Sequence, residues 1–436
     1  MKNQWKEISK NSIIEGAANA TSNGLVNTYI TPLALAIGAN VMDIGILNSI
    51  PKLAGVVAQP VSEVLFLRYK NKTICLNAVA YVYILLFLIS VILIFSEQLR
   101  MLLLIILFSS FQFFGSISTT AWISWISELV PLRKKGSFFG KRNMIATLCV
   151  FFGVMVAGWL LSAFSSIYTF SLLFIAASLL GMVSHNFLDK IPEPRKNIIH
   201  KKTTFFPKMS KSFKRFVIFI AAMNFATFIV APFFAVYMLR ELEIGYTGFA
   251  MVISIETIIA IFSHKYWGKL TDKFGDRIVM RVCSLLTPFV PLFYALAPNT
   301  ATLVVIGIFS GFVWAGFDLS WFNYLITIAQ KDKKNGQELI SVFRFFTLLS
   351  AFLGPLAGGF LASIFSGRTI FIFTGLQILF VIAFLLRMGC SLFLFRIDEI
   401  MVKKKTHLRN IFIHFIIIYP IKGIIHNVER IYVKRI

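Results

Sequence analysis

Acid is what this chain has least of. Only 19 Asp and Glu stand against 43 Lys and Arg, a formal charge of +24 over 436 residues. Charge of either sign is scarce, at 14% of the chain against 57% hydrophobic residues. A soluble chain of this length would form two or three domains with about a quarter of its residues charged. That is excluded, and the composition is that of an integral membrane protein. Cysteine is sparse too: Cys75, Cys149, Cys283 and Cys390 lie singly in apolar surroundings without metal-type spacing, and read as packing residues. His407, His414 and His426 also lack tight metal spacing. The chain lacks a Gly-x-x-x-x-Gly-Lys-Ser/Thr stretch, which disfavours an ATP-driven pump. It lacks a cluster of His, Asp or Ser at catalytic spacing, which disfavours an enzyme. No cofactor or metal is implied.

What is present is hydrophobic length. A membrane helix needs roughly 20 apolar residues. Ile74 to Phe95, Met101 to Ser127 and Phe216 to Leu239 contain no charged residue. Longer runs, Met144 to Phe187 and Val282 to Phe317, must each turn once, at Ser162 to Thr169 and Ala295 to Thr302. The spacing predicts twelve spans at about 12–37, 43–67, 73–95, 99–129, 140–163, 168–189, 214–239, 246–267, 278–298, 301–329, 338–366 and 369–395. The fold class is therefore an all-α membrane protein. The apolar run after Lys2, Lys6, Glu7 and Lys10 is far longer than a signal-peptide core, so no cleaved signal is expected.

The distribution of the positive excess argues against nucleic acid as its partner. One set of loops holds Arg68, Lys70 and Lys72, then Arg133, Lys134, Lys135, Lys141 and Arg142, then Lys265, Lys269, Lys273 and Arg277, then Lys331, Lys333 and Lys334. The alternate set holds only Arg100, Arg240 and Arg368. Basic loops face the cytoplasm, which predicts the cytoplasmic (inner) membrane with both termini inside.

The segment from Asp189 to Arg215, with Pro192, Pro194 and Pro207 among many basic residues, reads as a linker between two halves. The expected organisation is 1–11 as a cytoplasmic N-terminus, 12–189 and 214–396 as six-helix bundles, 190–213 as a basic linker and 397–436 as a basic tail. The halves read as repeats. Pro32, Asp43, Ile44 and Gly45 are matched by Pro232, Glu243, Ile244 and Gly245, each offset by 200. Trp122 and Trp125, followed by Gly136 and Arg142, are echoed by Trp314 and Trp321 followed by Gly336 and Arg344. For the tail, a basic amphipathic segment on the inner membrane face and a disordered segment both stay open.

Trp267-Gly-Lys-Leu-Thr-Asp-Lys-Phe-Gly-Asp-Arg277 is the densest charged stretch in the hydrophobic part of the chain. It is expected to be a tight turn, allowed by Gly268 and Gly275, with Asp272 in its middle. The spacing Gly268-x-Leu270-x-Asp272-x-x-Gly275-x-Arg277 resembles the signature loop of the major facilitator superfamily of secondary transporters. The run from Trp122 through Glu128, Pro131 and Arg133 to Arg142 is similar to that family's connection between fourth and fifth spans. The first-half counterpart of the signature loop departs from the pattern: Leu67 stands where Asp272 would align, and the nearest acid is Glu63. Gly354-Pro355-x-x-Gly358-Gly359 is similar to a glycine pattern of drug antiporters in the family, but lies on the eleventh span rather than the fifth.

The resemblance implies two pseudo-symmetric six-helix bundles with a cavity lined by the first, fourth, seventh and tenth spans. It also implies a cytoplasmic gate in which Asp272 meets the fifth span near Arg142, and Glu63 meets the eleventh near Arg344. An acid at a helix N-terminus is favoured by roughly 0.3–1 kcal/mol, enough to bias a two-state equilibrium.

Charge at mid-membrane costs roughly 2.5–3.5 kcal/mol and requires a partner or water. Asp318 on the tenth span, Glu256 on the eighth and Lys52 on the second are the candidates, with Glu15 near the inner end of the first. Asp318 is the favoured ligand or proton carrier by resemblance, and a structural ion pair with Lys52 is the alternative for either acid. Asn19, Asn23 and Asn27 recur every four residues and stripe one face of the first span. Asn224, Gln112, Ser116, Thr119, Tyr237 and Asn323 lie on the other expected cavity spans. Cavity lining and helix–helix hydrogen bonds both remain open for them.

The expectation is a monomeric secondary active transporter, moving a small solute across the bilayer by alternating access, proton-coupled and in the efflux direction. A transporter-fold sensor or scaffold that does not transport is the alternative.

Overall fold

The computed structural model describes residues 2–130, 135–164, 166–193, 209–331 and 336–394. Most of the expected linker and the whole of the expected tail, 397–436, lie outside the described residues.

The N-terminal bundle comprises α1 (Lys2–Val26) with α2 (Ile30–Ala36), α3 (Val41–Phe66), α4 (Asn71–Ser90), α5 (Glu97–Leu129), α6 (Lys135–Ala163) and α7 (Tyr168–Asp189). The C-terminal bundle comprises α8 (Lys211–Phe228) with α9 (Ala231–Val236), α10 (Gly245–Phe274), α11 (Asp276–Leu286) with α12 (Phe289–Ala295), α13 (Thr300–Lys331), α14 (Gly336–Phe365) and α15 (Gly375–Phe393). Among the described residues, eleven helical stretches are long and apolar enough to cross a membrane. The first span is not among them. Its Asn, Ser, Thr and Glu residues make it polar, and it is sheltered by packing against α6 and α7.

Local chemistry explains where the helices bend and stop. The first helix of each bundle breaks one turn before a proline. The chain passes from α1 to α2 through Asn27–Tyr29, ahead of Pro32, and from α8 to α9 at Ile229 and Val230, ahead of Pro232. Proline lacks the N–H for an i→i−4 bond, and its ring crowds the carbonyl one turn back. The second helices start differently, although their sequences match. Asn40 and Asp43 cap α3 reciprocally, each bond 2.9 Å. At the start of α10, Glu243 and the helix's first residue, Gly245, instead adopt left-handed backbone, at φ 49° and 69°.

Three expected boundaries move. The first helix starts at Lys2 rather than 12. The twelfth span begins at Gly375, because Thr369–Ile370 and Phe373–Thr374 form a small antiparallel hairpin, and a Thr374–Gln377 capping box then starts the helix. The stretch expected as a turn at 267–277 is mostly helix. Trp267, Leu270, Thr271 and Phe274 recur at helical spacing and are all buried. The helix therefore runs on until Gly275, whose φ of 90° ends it. At 1.5 Å per residue the 30 residues of α10 span about 45 Å, more than the roughly 30 Å hydrocarbon core.

The packing is divided. One hydrophobic cluster draws on both bundles, from Tyr29, Leu47 and Ala157 to Val236, Phe249 and Ala362. Two further clusters lie nearer the basic loops, one built from the C-terminal bundle and one from the N-terminal bundle. The bundles are thus sealed together at the end away from the basic loops. There Ser49 Oγ donates to the Phe352 carbonyl at 2.7 Å, the Thr247 N–H donates to Ser162 Oγ at 2.9 Å, and Arg240 donates to the Leu35 carbonyl at 3.3 Å. Toward the basic loops, the ion pairs Lys70–Glu193, Lys72–Asp189 and Arg142–Glu15 each join parts of the N-terminal bundle.

Candidate functional site

Two cavities lie where the bundles part. The smaller, about 360 Å³, belongs to the N-terminal bundle. The asparagine stripe of α1 lines it as a hydrogen-bonded ladder: Asn27 Nδ2 donates to Asn23 Oδ1 at 3.0 Å, and Asn23 Nδ2 donates to Asn19 Oδ1 at 3.2 Å. Tyr83 from α4 donates to the same Asn19 oxygen at 3.1 Å. Gln112, Thr119 and Trp122 from α5 complete the wall. Cavity lining and inter-residue bonding thus coexist at these amides. At the basic-loop end of the cavity, Arg142 donates to Glu15 Oε2 at 2.9 Å and to the Ser12 carbonyl at 3.2 Å, with its guanidinium carbon 4.1 Å from the Trp122 ring centre. Glu15 is buried, so this pairing offsets a charge that could not remain alone there.

The larger cavity, about 680 Å³, is formed mainly by the C-terminal bundle, with Thr147 of α6 reaching it across the crevice. Phe228, Phe234, Tyr294 and Trp314 make its walls apolar, and Asn224, Thr227, His264 and Asp318 supply polar groups. Asp318 is not sealed in the core: it is exposed to the open cavity and accepts from Trp321 Nε1 at 2.9 Å. Glu256 accepts from Ser310 Oγ at 2.7 Å. Arg387 on α15 was not singled out from the sequence, yet it is 1% exposed and lines the same space. A lone arginine inside the last apolar run was the available signal. His264, on α10, was also missed; its place at mid-height of a long helix gave no distinguishing pattern.

Two pathway candidates stand elsewhere. Asn323 points to the α10–α11 junction, donating to Asp276 Oδ1 at 3.2 Å, and lines neither cavity. Lys52 lies on α3 one turn beyond Ser49, half-buried, and also lines neither. Ion pairing of Lys52 with Asp318 or Glu256 is not what the structure has: Asp318 is held by Trp321 and Glu256 by Ser310.

Of the expected gate pairings, Asp272 with Arg142 and Glu63 with Arg344, neither is formed among the described residues. Arg142 is engaged by Glu15 within its own bundle rather than by Asp272, which is exposed on the last turn of α10. Glu63 and Arg344 are both exposed and do not pair with each other. Arg277, just after the turn, is half-buried with its Nε bonded to nothing among the described residues. Gly268 sits inside the helix, where an added Cβ would come no nearer than 4.0 Å to Leu319, so it permits neither a turn nor an unusually close approach.

Comparison with known proteins matches this architecture. A family model described as the Major Facilitator Superfamily fits residues 14–225 and 216–415. A multi-drug resistance efflux pump, PmrA of Streptococcus pneumoniae serotype 4, is 30% identical over 153 residues, 34% of this chain and 37% of that protein. The multidrug resistance protein MdtG of Klebsiella pneumoniae is 29% identical over 191 residues, 41% of this chain and 42% of that protein. The matched part thus spans about two-fifths of these relatives. A bacterial homologue of the lysosomal transporter Spinster, inward-facing and occupied, superposes with a TM-score of 0.70 at 15% identity, covering 89% of this chain and 95% of that one. The nucleoside transporter NupG gives 0.65 at 15% identity, covering 91% and 100%. At such identities the likeness is one of fold.

Proposed function

Because the chain belongs to the major facilitator superfamily, and so is a multi-pass secondary transporter of the cytoplasmic membrane rather than an enzyme, we propose that it exports a small, partly apolar compound in exchange for protons. The observation that carries this is the larger cavity. Its aromatic walls suit an apolar body, and two carboxyl groups, Asp318 and Glu256, sit within it. A carboxyl that the open cavity reaches can take up a proton or hold a substrate donor, but not both at once, and this exclusion is the minimal requirement for exchange. The multidrug names of the partial relatives favour efflux over uptake.

The basic loops face the cytoplasm and both termini lie inside, as the positive-inside rule requires. The seal then lies on the outer side and the crevice opens inward, a conformation ready to load substrate from the cell. Alternating access follows if the outer seal opens as a gate around Asp272, Gly275, Arg277, Arg142, Glu63 and Arg344 forms. The protein works as a monomer in this reading, each chain holding its complete cavity.

The test is reconstitution in liposomes with an internal pH-sensitive dye, screened against a compound panel. Wild-type protein should move protons when a substrate is added, and Asp318→Asn should abolish that flux without loss of reconstituted protein. Silence from wild type across the panel, with correct folding, would instead favour the non-transporting sensor or scaffold.

A further inference from the structure

Arg387 is the most deeply buried cation among the described residues, at 1% exposure, and it is poorly partnered. A guanidinium carries five N–H donors. Here Nη1 donates to the Thr287 carbonyl at 3.1 Å, and Nε is buried with no partner among the described residues. The guanidinium carbon lies 5.5 Å from the Trp314 ring centre, which orients the group without bonding its N–H donors. Glu256 lies close enough for its charge to act on the guanidinium, while its Oε1 accepts from Ser310. A buried charge is retained at a cost of several kcal/mol unless something compensates it. Glu256 offsets part of that cost through space, and a group entering the cavity that Arg387 itself lines can bond its remaining donors.

We infer that Arg387 is a substrate-anchoring residue, and that the larger cavity takes aromatic carboxylates, with the acid group on the Arg387 fork and the ring between Trp314, Tyr294 and Phe234. This rests on the transport reading and adds a substrate class to it. The planar fork matches a carboxylate in two parallel bonds, which favours that anion over a spherical one. The lining rings supply the apolar half of the ligand site. Glu256 plays the opposing part: its carboxylate competes with the ligand for the same guanidinium, and Ser310 holds it aside while the anion is bound.

The probe is 2-naphthoate against its methyl ester, measured by calorimetric titration of the full chain in detergent. The acid should bind at least tenfold more tightly than the ester to wild type. Arg387→Lys should reduce that ratio and Arg387→Met should bring it to one. Glu256→Gln should raise affinity for the acid several-fold, which tests the idea even if Arg387→Met does not fold. A wild-type ratio of one, no binding of the acid, or a preference that survives Arg387→Met would each overturn the inference. The transport reading fails separately, by absence of proton flux in liposomes, and the binding measurement does not depend on it.

Discussion

Gly45 on α3 and Gly359 on α14 meet backbone to backbone across the two bundles. A Cβ on Gly45 would lie 2.9 Å from the Gly359 Cα and 2.7 Å from the Pro355 carbonyl oxygen. No side chain fits, so the seal depends on glycine at this point. The glycine motif of the eleventh span is thereby divided in use. Gly359 faces the other bundle, while Gly354 packs on Phe228 and Ile229 of its own. On α6, Gly153 and Gly158 do the equivalent: the first meets Gly24 within the bundle, the second meets Ala250 and Tyr246 across it.

Gly45→Val should hold the seal apart. We expect transport to fall at least tenfold with normal membrane insertion, while Gly389→Ala, where an added Cβ meets nothing within 4 Å, stays near wild type. Transport rates per inserted molecule decide this, and a wild-type rate for Gly45→Val would contradict the seal.

The Glu15–Arg142 pair should matter for stability. Its side chains are 5% and 13% exposed, so deleting one partner leaves the other charge with little water. Arg142→Met is expected to cost about 3–5 kcal/mol. The double variant with Glu15→Gln should recover at least about 1 kcal/mol of that loss. Thermal unfolding in detergent of the two single variants and the double gives the coupling directly; strict additivity would show the pair to be idle.

Asp272 is exposed here, on the last turn of α10, and its predicted work is in the other conformation. If it caps the facing helix when the crevice closes, Asp272→Asn removes about 1 kcal/mol from that state. This shifts the equilibrium roughly five-fold. Transport should slow by a similar factor with expression intact. An unchanged rate in the variant would count against the gate.

Asn23 is the middle rung of the α1 ladder, donating to Asn19 and accepting from Asn27. Asn23→Ala should raise the apparent KM several-fold, because the neighbouring amides lose their fixed orientation. Thermal stability should change by only about 1 kcal/mol, the usual net worth of such a bond. A large stability loss with unchanged KM would assign the ladder to helix packing alone.

The sequence by itself determined the class, the helical spans, the basic and non-basic loops and the kinship of the two halves. These follow from hydropathy and loop charge, which act over one helix at a time and need no partner. It also pointed to Asp318, Glu256 and the asparagine stripe, because polar groups in apolar runs are conspicuous singly. It misread 267–274 as a turn, since charged residues masked the helical spacing of Trp267, Leu270, Thr271 and Phe274 that only the C-terminal bundle's core makes visible. It placed Asn323 and Lys52 in the pathway, with a Lys52 ion pair as the alternative, and neither lines a cavity, because the direction a side chain faces depends on how whole helices rotate against each other. Only the tertiary structure decided that Arg142 belongs to Glu15, that Glu256 belongs to Ser310, and that Arg387 stands in the cavity largely unclaimed. Those are relations between residues tens to hundreds of positions apart, and packing of the bundles, not local pattern, is what brings them within bonding distance.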